Sequence, residues 1–313
     1  GEFLKTVAAK EPSFTNVAGM NQNPSLMANI YLESKGLYPL NGGQFGMYYL
    51  DLSGEQPTVI AMHEWAGYQE YLDMMKDWAD SGLWPKSVLS VTDSVESLVQ
   101  SGAAAGRMSN VDGWAGDYAL TDPAWDLRWY NFVEPVNYQA YTQDSMVIPN
   151  SSEHADRALM LLDKIRTDER YYDLLTYGVE GVDFTRTESN SLVVTDSNLF
   201  AAEPGTWGFR SQQFSLLSET VPPTFQATRD ALEKEVQPNM FRGFNPNTDP
   251  VKAEYAAMQN VYSQYNVPLC GGVTNDVAAD LQQLTDKAAA AGNDKVKAEL
   301  QSQIDAYIAA YQK

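Results

Sequence analysis

Cysteine and histidine are nearly absent from this chain. Its 313 residues include one cysteine, Cys270, and two histidines, His63 and His154. A single cysteine cannot form an intramolecular disulfide, and no cysteine or histidine cluster surrounds it, so the sequence does not indicate a structural zinc site. His63-Glu64 lacks a second histidine four residues later and is therefore not a zinc-protease motif. We expect no metal and no cofactor, and we expect Cys270 to be a small buried side chain.

Long apolar runs and basic residues are scarce as well. No run of about 18 apolar residues occurs, so the sequence predicts no membrane-spanning helix. The 21 Lys and Arg residues are outnumbered by 41 Asp and Glu residues, which gives a net charge of −20. Such an acidic chain is a poor partner for a phosphate backbone or an anionic membrane. We therefore expect no nucleic acid among its partners.

Several signatures of enzymes are missing too. The chain has no Gly-x-Ser-x-Gly motif, no phosphate-binding loop and no pair of histidines placed for catalysis. Hydrophobic residues make up 44% of the chain, which is enough for a real core. The composition thus predicts a globular protein, and the missing motifs favour binding over catalysis.

Helical patterns carry most of the structural information. Residues 68–79 place their apolar side chains on one helical face. Further on, the pattern predicts a strand at 145–148, a helix that begins after Ser151 or Ser152, and a shorter helix that ends at Gly178. The apolar stripe of the first of these helices, which we expect to face a core, consists of Ala155, Ala158, Leu159, Leu162 and Ile165. The shorter helix continues with Tyr171, Leu174 and Leu175.

The predicted strands are short. Residues 46–52 and 59–62 are expected to pair across the intervening turn, with Gly42-Gly43 as a turn before them. Residues 103–109 are predicted to form a buried strand, and residues 192–194 another strand. Asp93 is predicted to cap a helix that runs to Gln100.

After Ser215 the sequence is almost wholly helical. A helix is predicted over 225–236, and Asp276 is expected to begin another that ends at Gly292. The segments 250–265 and 293–311 both carry continuous apolar stripes. We therefore predict that these two segments pack on each other as a helical cap.

Two stretches of the chain resemble one family. IPNSS, a helix and TDERYYDLLTYGVEG follow one another between Tyr141 and Gly181, and GFNPNTDPVKAEYAAMQNVYSQY and LTDKAAAAGNDKVKAELQSQIDAY occur near the end. In this order they resemble the extracellular solute-binding proteins of ABC importers. The similarity is to the family 1, sugar-type lipoprotein group with an additional C-terminal domain of once unknown function (DUF3502-like), and it extends over roughly residues 68–313.

This resemblance implies an α/β fold of the type II periplasmic-binding-protein kind, with two lobes that close on a ligand and a helical C-terminal subdomain. Residues 1–65 would be the remainder of an N-terminal lobe. The sequence itself predicts an α/β fold in which one lobe combines parallel-leaning strands with helices. Residues 66–214 would be the C-terminal lobe with the ligand-cleft residues, and 215–313 the helical domain. Because the opening strands of the family's first lobe have no counterpart here, we expect that lobe to be incomplete and the chain to be N-terminally truncated.

The resemblance also implies a function. Relatives of this kind capture an oligosaccharide or another small solute non-covalently in a cleft between two lobes and deliver it to the transmembrane subunits of an ABC permease. The implied location is the extracellular face of the cell membrane, through a lipid anchor that this sequence does not contain, or the periplasm. A monomer without enzymatic activity is expected.

The candidate ligand-binding residues follow from the chemistry of sugars. A pyranose offers an apolar face to an aromatic ring and hydroxyls to carboxylates or amides. Trp114 and Asp112 provide this pair on one turn, and Trp207 lies on a Trp-Gly-Phe strand of the kind that family members carry. The remaining ligand-binding candidates are Trp65, Arg210 and Glu180.

Each leading candidate has a structural alternative. Trp114 can be a core residue while Asp112 caps the following helix. Trp207 can pack between domains, and Arg210 can offset nearby acids. The cluster of Trp125, Trp129 and Tyr130 is better explained by a segment that buries one side.

Two other functions compete with solute binding. A glycoside-acting enzyme needs aromatic residues and two carboxylates about 5 to 9.5 Å apart. Asp112, Glu134 and Glu180 are available for such a pair. A passive surface scaffold fits the acidity of the chain but not its clustered tryptophans.

Overall fold

The computed structural model describes residues 1–40, 46–131, 136, 145–195, 207–211 and 213–311. Its helices are α1 (Glu2–Lys10), α2 (Ser25–Glu33), α3 (Tyr68–Asp80), α4 (Val95–Gln100), α5 (Val111–Leu120), α6 (Ala155–Thr167), α7 (Glu169–Thr176), α8 (Phe225–Glu235), α9 (Lys252–Val261), α10 (Val267–Cys270), α11 (Val277–Ala291) and α12 (Asn293–Tyr311). Its strands are β1 (Leu37–Pro39), β2 (Tyr48–Asp51), β3 (Thr58–Ala61), β4 (Phe184–Arg186) and β5 (Leu192–Val194). Within the described residues, no helix has both the length and the apolar character needed to cross a membrane.

The chain divides into two compact units. The first comprises Gly1–Ser109, Tyr130–Ala140 and Leu232–Lys313, and the second comprises Asn110–Trp129 and Tyr141–Ala231. This division differs from the predicted domain boundaries at 65 and 214. Helix α3, which we placed in a different domain from the terminal helices, contacts α10 and α11 and shares their core.

The first unit is built around a three-stranded antiparallel sheet in the order β1-β2-β3. The predicted pairing of the two glycine- and proline-flanked strands is confirmed, since Tyr48 pairs with Ala61 and Asp51 with Thr58. Helix α3 buries Tyr68, Tyr71 and Leu72 against this core, as its apolar periodicity predicts.

The terminal helices complete the core of the first unit. The N-terminus of α11 is capped by Asp276, whose carboxylate accepts a hydrogen bond from the Ala279 amide at 3.0 Å, and α11 ends at Gly292 in the left-handed conformation. Helices α9 and α12 contact each other, and Met258 and Leu300 are buried in the same cluster. The predicted packing of these two segments is therefore confirmed.

A π-helical turn at Tyr262–Asn266 separates α9 from α10. It carries a buried polar network in which the Tyr68 hydroxyl donates to Asn266 Oδ1 at 2.6 Å and lies 3.4 Å from Cys270 Sγ. Burial raises the pKa of the Cys270 thiol to about 11. Cys270 is thus the buried, unreactive side chain that its isolation in the sequence predicts.

The second unit contains a hairpin and small apolar clusters. Strands β4 and β5 pair antiparallel, which confirms the strand predicted at 192–194. One cluster gathers Ile165, Tyr172, Tyr177, Phe184 and Leu192. Both named sheets of the described chain are antiparallel, so the expectation of parallel-leaning strands was wrong.

Helix α6 forms, but it begins at Ala155 with His154 as its N-cap, so the predicted cap by Ser151 or Ser152 was wrong. Its predicted core-facing stripe is mostly not buried. Ala155 and Leu159 are exposed, Ala158 and Leu162 are half-buried, and only Ile165 lies in the core. On α7 the predicted apolar residues Tyr171, Leu174 and Leu175 are exposed, whereas Tyr172 and Thr176 are buried. Helical periodicity located these helices, but it did not reveal which face has a neighbour.

Three local predictions were also wrong. Residues 145–148 and 103–109 do not form strands, although the second segment bonds irregularly to residues 16–17. The N-cap of α4 is Ser94, not Asp93, because its hydroxyl accepts from the Ser97 amide at 3.1 Å. The predicted turn at Gly42-Gly43 lies outside the described residues.

Candidate functional site

Asp112 and Arg210 form an ion pair within the second unit. Arg210 Nη1 donates to Asp112 Oδ2 at 2.8 Å, and both side chains are about one-quarter exposed, at 24% for Asp112 and 29% for Arg210. The alternative in which Asp112 caps the following helix is wrong. Asn110 is the N-cap of α5, since its Oδ1 accepts from the Gly113 amide at 2.7 Å. Asp112 therefore sits in the first helical turn, where the helix dipole favours a negative charge.

The second oxygen of Asp112 is unusual. Oδ1 is buried and has no hydrogen-bond partner among the residues that the structure describes. A buried carboxylate oxygen without a donor costs free energy, and a donor that reaches it recovers that cost. Asp112 is thus a polar group of the second unit that gains from a hydrogen-bond donor of a ligand.

Trp114, two residues after Asp112 on α5, is buried. It is 7% exposed and packs with Phe225 and Trp129, whose ring centroids are each 6.2 Å from its own. Its indole N–H donates to the Leu127 carbonyl at 3.0 Å. The structure therefore supports the core alternative for Trp114, which supports the turn that carries Asp112.

Trp129 belongs to the same aromatic group. Its Nε1 is buried and has no acceptor within the described part of the chain. Trp125 and Tyr130 are exposed, so the three aromatics do not bury one common side. Three large aromatics within six residues drew attention to this segment. They did not show that Trp129, which is half-buried, is the one that packs against the Trp114 cluster.

Glu180 belongs to a network centred on Arg186. The Arg186 guanidinium contacts Asp173 at 2.6 Å and Glu169 and Glu180 at 3.2 Å each. Burial raises the pKa of the Asp173 carboxyl, even though Arg186 hydrogen-bonds to it. Asp173 Oδ1, Thr176 Oγ1 and Arg186 Nε are all buried without partners among the described residues. The sequence analysis singled out Glu180 alone and missed Arg186, which brings the carboxylates together.

Trp65 lies in the first unit and is half-buried. Its ring meets Tyr31 edge to face, with centroids 6.2 Å apart. The ring also lies directly against Gly67, where an added Cβ would come within 2.3 Å of the indole. A side chain at position 67 would displace the indole, so the glycine and Tyr31 together fix the orientation of Trp65.

Glu64, which precedes Trp65, is fixed by three neighbours. Its carboxylate accepts from the Ala61 amide at 3.1 Å, from Asn293 Nδ2 at 2.8 Å and from Lys297 Nζ at 2.8 Å. Burial acts to raise the pKa of Glu64, but the bonds from Lys297 and Ala61 outweigh it and hold that pKa below its usual range. The sequence analysis missed this group, although polar residues at positions 293, 297 and 301 recur every four residues along α12.

The histidines and the remaining candidate are placed as follows. The His63 ring is buried and its Nδ1 lies 2.7 Å from the Tyr262 hydroxyl, and burial lowers the His63 pKa. His154 is exposed. Trp207 begins a 3-10 turn, Trp207–Phe209, where a strand was predicted, and its side chain lies outside the described residues, as does Glu134. Within the described residues, no group of three potential metal ligands exists.

Comparison with known proteins identifies the class of fold. The N-glycan transport solute binding protein (NgtS) of Streptococcus pneumoniae matches 98% of this chain with a TM-score of 0.72 and 20% identity, over 66% of its own length. A solute-binding protein of Bifidobacterium longum infantis, associated with an HMO-binding ABC transporter, matches 98% of the chain and 69% of its own with a TM-score of 0.59 and 12% identity. The chain has the fold of the solute-binding proteins of ABC importers, as predicted.

The sequence comparisons agree with this class. A carbohydrate ABC transporter substrate-binding protein of Streptococcus pneumoniae is 24% identical over 97% of this chain. The chain spans 61% of the length of that curated relative. Residues 240–309 match the family described as "Domain of unknown function (DUF3502)". The predicted resemblance to sugar-type binding proteins with this terminal domain is confirmed.

Proposed function

We propose that this protein captures an oligosaccharide without chemical change and presents it to an ABC permease. The observation that carries the proposal is the structural likeness of 98% of the chain to NgtS, an N-glycan transport solute binding protein. A relative named as a carbohydrate substrate-binding protein supports it independently at the sequence level. Other solutes are compatible with the same fold, so the ligand class rests on these relatives.

The proposed polar contacts are Asp112 and Arg210. Asp112 bonds to Arg210 through Oδ2, while its buried Oδ1 has no donor among the described residues, and we assign that donor to a sugar hydroxyl. Arg210 holds the Asp112 carboxylate at 2.8 Å and is proposed to lie beside the bound hydroxyls. Trp114 packs in the core of the second unit and is not proposed to stack on the sugar.

The aromatic contacts are proposed to come from Trp65 and Trp207. Trp65 is half-buried, packs edge to face on Tyr31 and occupies the space that the absent side chain of Gly67 leaves, and its ring is proposed as a flat apolar surface for a pyranose. Trp207 is proposed because it precedes Gly208 and Phe209 and lies three positions before Arg210 in the sequence. Glu180 is proposed as a peripheral hydroxyl contact, since it is exposed at the end of the Arg186 network.

Calorimetric titration of Asp112→Asn tests the polar contacts. The amide keeps one acceptor but loses the charge-assisted bond, so we expect oligosaccharide binding to weaken by about 1 to 2 kcal/mol. Asp126→Asn is the matched control, because Asp126 also pairs with an arginine, Arg128, but is exposed. Equal affinities of both variants and the unmutated protein would remove Asp112 from the site.

The enzymatic alternative has a direct test. We propose that the chain has no glycoside-cleaving activity, because Asp112 and Glu180 are each engaged by an arginine within the second unit. Incubation with labelled oligosaccharides should yield no new reducing ends over hours. Appearance of such ends, and their loss in Asp112→Asn, would establish the enzyme instead.

Location and assembly follow from the proposed function. A protein that feeds an ABC importer works on the outer side of the cell membrane, either lipid-anchored or in the periplasm. A monomer suffices for this role, and the transmembrane permease subunits are the proposed protein partners. Sedimentation of the purified protein at micromolar concentration should give a single species of 34.7 kDa.

A further inference from the structure

Strand β3 is the outer strand of the three-stranded sheet. Among the described residues it pairs with β2 in the order β1-β2-β3, so its other side presents backbone groups to which no described strand is bonded. An exposed edge of this kind invites pairing with other strands and frays readily, and natural proteins usually cover it. Within the part of the chain that the structure describes, the cover consists of side chains.

Helix α12 supplies the cover at the first half of β3. The Gln301 amide accepts a hydrogen bond from the Val59 N–H at 2.7 Å and donates to the Pro57 carbonyl at 3.0 Å. One side chain thus reproduces the donor and acceptor of a neighbouring strand. Gln301 is separated from these residues by more than 240 positions in sequence.

The second half of β3 is covered through Glu64. The Ala61 N–H donates to Glu64 Oε2 at 3.1 Å, and the same carboxylate is held by Asn293 and Lys297 of α12, at 2.8 Å each. Asn293, Lys297 and Gln301 lie four residues apart and so share one face of α12. Gln301 on this face bonds to the Val59 N–H directly. Asn293 and Lys297 act on the Ala61 N–H indirectly, by holding the Glu64 carboxylate that accepts from it.

The secured segment leads directly into Trp65. Residues 62–64 form a single 3-10 turn after β3, and Trp65 follows it. Since Glu64 is bonded both to the end of β3 and to α12, the start of the Trp65 turn is tied at two points. Gly67 and Tyr31 then fix the indole itself.

We propose that the last helix of the DUF3502 region is a positioning element that seals the edge of β3 and holds Trp65 in place to contact carbohydrate. Gln301 and Glu64 are the positioning residues, and neither touches the sugar. This inference rests on the proposed function, and it gives the terminal domain a role in forming the ligand-binding surface. Helix α12 does so by replacing a missing edge strand.

The chain offers a matched control for the test. Gln303, two residues further along the same helix, makes the same two backbone bonds to another segment, accepting from the Asn247 N–H at 2.8 Å and donating to the Asn247 carbonyl at 2.7 Å. Gln301→Ala and Gln303→Ala therefore remove equivalent bonds from α12. Only the first of them involves β3.

Amide hydrogen exchange and calorimetry on both variants test the proposal. Gln301→Ala should speed exchange at Val59 about tenfold and weaken oligosaccharide affinity about three- to tenfold, as expected for a lost positioning bond. Gln303→Ala should speed exchange at Asn247 and leave the affinity unchanged. Equal losses of affinity in both variants would reduce the effect to general destabilisation and overturn the proposal.

A second variant tests the path through Glu64. Glu64→Gln keeps the size of the side chain but loses the ion pair with Lys297, so it should weaken binding and shift the signal of a fluorinated tryptophan at position 65. An unchanged Trp65 signal would contradict the proposal. If the unmutated protein binds no oligosaccharide, the proposed function fails, and exchange at Val59 together with the Trp65 signal decides whether α12 positions this turn.

Discussion

Two pairs of helices in this protein bury very different shares of their apolar side chains. In the first unit, α9 and α12 enclose Met258, Val296, Leu300 and Ile304 in a continuous core. In the second unit, α6 and α7 leave Leu159, Met160 and Leu161 exposed at 59%, 68% and 55%. Both pairs have good helical periodicity, so the pattern alone does not distinguish a packed helix from an uncovered one.

The difference shows what holds each pair in place. The terminal helices gain stability from apolar burial, and polar residues on the other faces of α12 bond to distant backbone. Helices α6 and α7 have a smaller apolar cluster, and α7 is tied to β4 by the ion pairs of Arg186. Large apolar faces left open on a protein surface commonly mark sites of association.

The largest effect is expected from matched leucine truncations. Leu300→Ala removes a side chain that is 1% exposed and should lower the free energy of unfolding by about 2 to 5 kcal/mol. Leu161→Ala, on exposed α6, should change it by less than about 0.5 kcal/mol. Urea unfolding measures both. A similar cost for the two would mean that α6 is covered in solution.

Removal of Arg186 tests whether ion pairs hold the second unit. Arg186→Met leaves Asp173, Glu169 and Glu180 without their shared cation, and we expect a loss of about 1 to 3 kcal/mol. Arg170→Met is the control, because Arg170 is exposed and, among the described residues, forms its ion pair with Asp168. The account of the second unit fails if both variants unfold at the same urea concentration.

Glu33, a carboxyl in the first unit, should make the free energy of unfolding depend on pH. Burial raises the pKa of this carboxyl to about 7 from 4.5, so the folded state binds its proton more tightly than the unfolded state does. The free energy of unfolding should therefore fall as the pH rises from about 4.5 to 7. Glu33→Gln should remove this dependence and stabilise the protein by about 1 to 3 kcal/mol at pH 8, but not at pH 4. Parallel stability curves for the two proteins would contradict this assignment.

The smallest effect concerns the reactivity of Cys270. Its thiol is buried and its pKa is raised to about 11, so a thiol reagent should react with it only after unfolding. Labelling rates in urea should follow the unfolding of the first unit and not that of α6 and α7. Rapid labelling of the folded protein at pH 8 would show that this core opens locally.

Local signals in the sequence predicted most of the helices and the strand pairing of β2 with β3. Asp276 and Gly292 mark the ends of α11 because capping and the left-handed conformation depend on a few adjacent residues. The site was less predictable. Asp112 and Arg210 are separated by 98 positions in the sequence, and Gln301 and Val59 by 242. Helical and strand periodicity cannot predict hydrogen bonds between residues so far apart.

The burial of individual tryptophans was also beyond sequence reasoning. Trp114 and Trp65 both follow polar or charged turns, yet one is buried and the other half-buried. What separates them is the neighbour each ring meets, Phe225 for Trp114 and Gly67 for Trp65. Such neighbours follow only from the folded chain.

Calorimetric titration of the unmutated protein with a panel of oligosaccharides tests the central claim most directly. The account predicts saturable binding of at least one oligosaccharide of the panel, with a dissociation constant in about the micromolar range, near −8 kcal/mol. The oligosaccharide should be recovered unchanged. A folded protein that shows no heat of binding with any member of the panel at millimolar concentration would contradict the account.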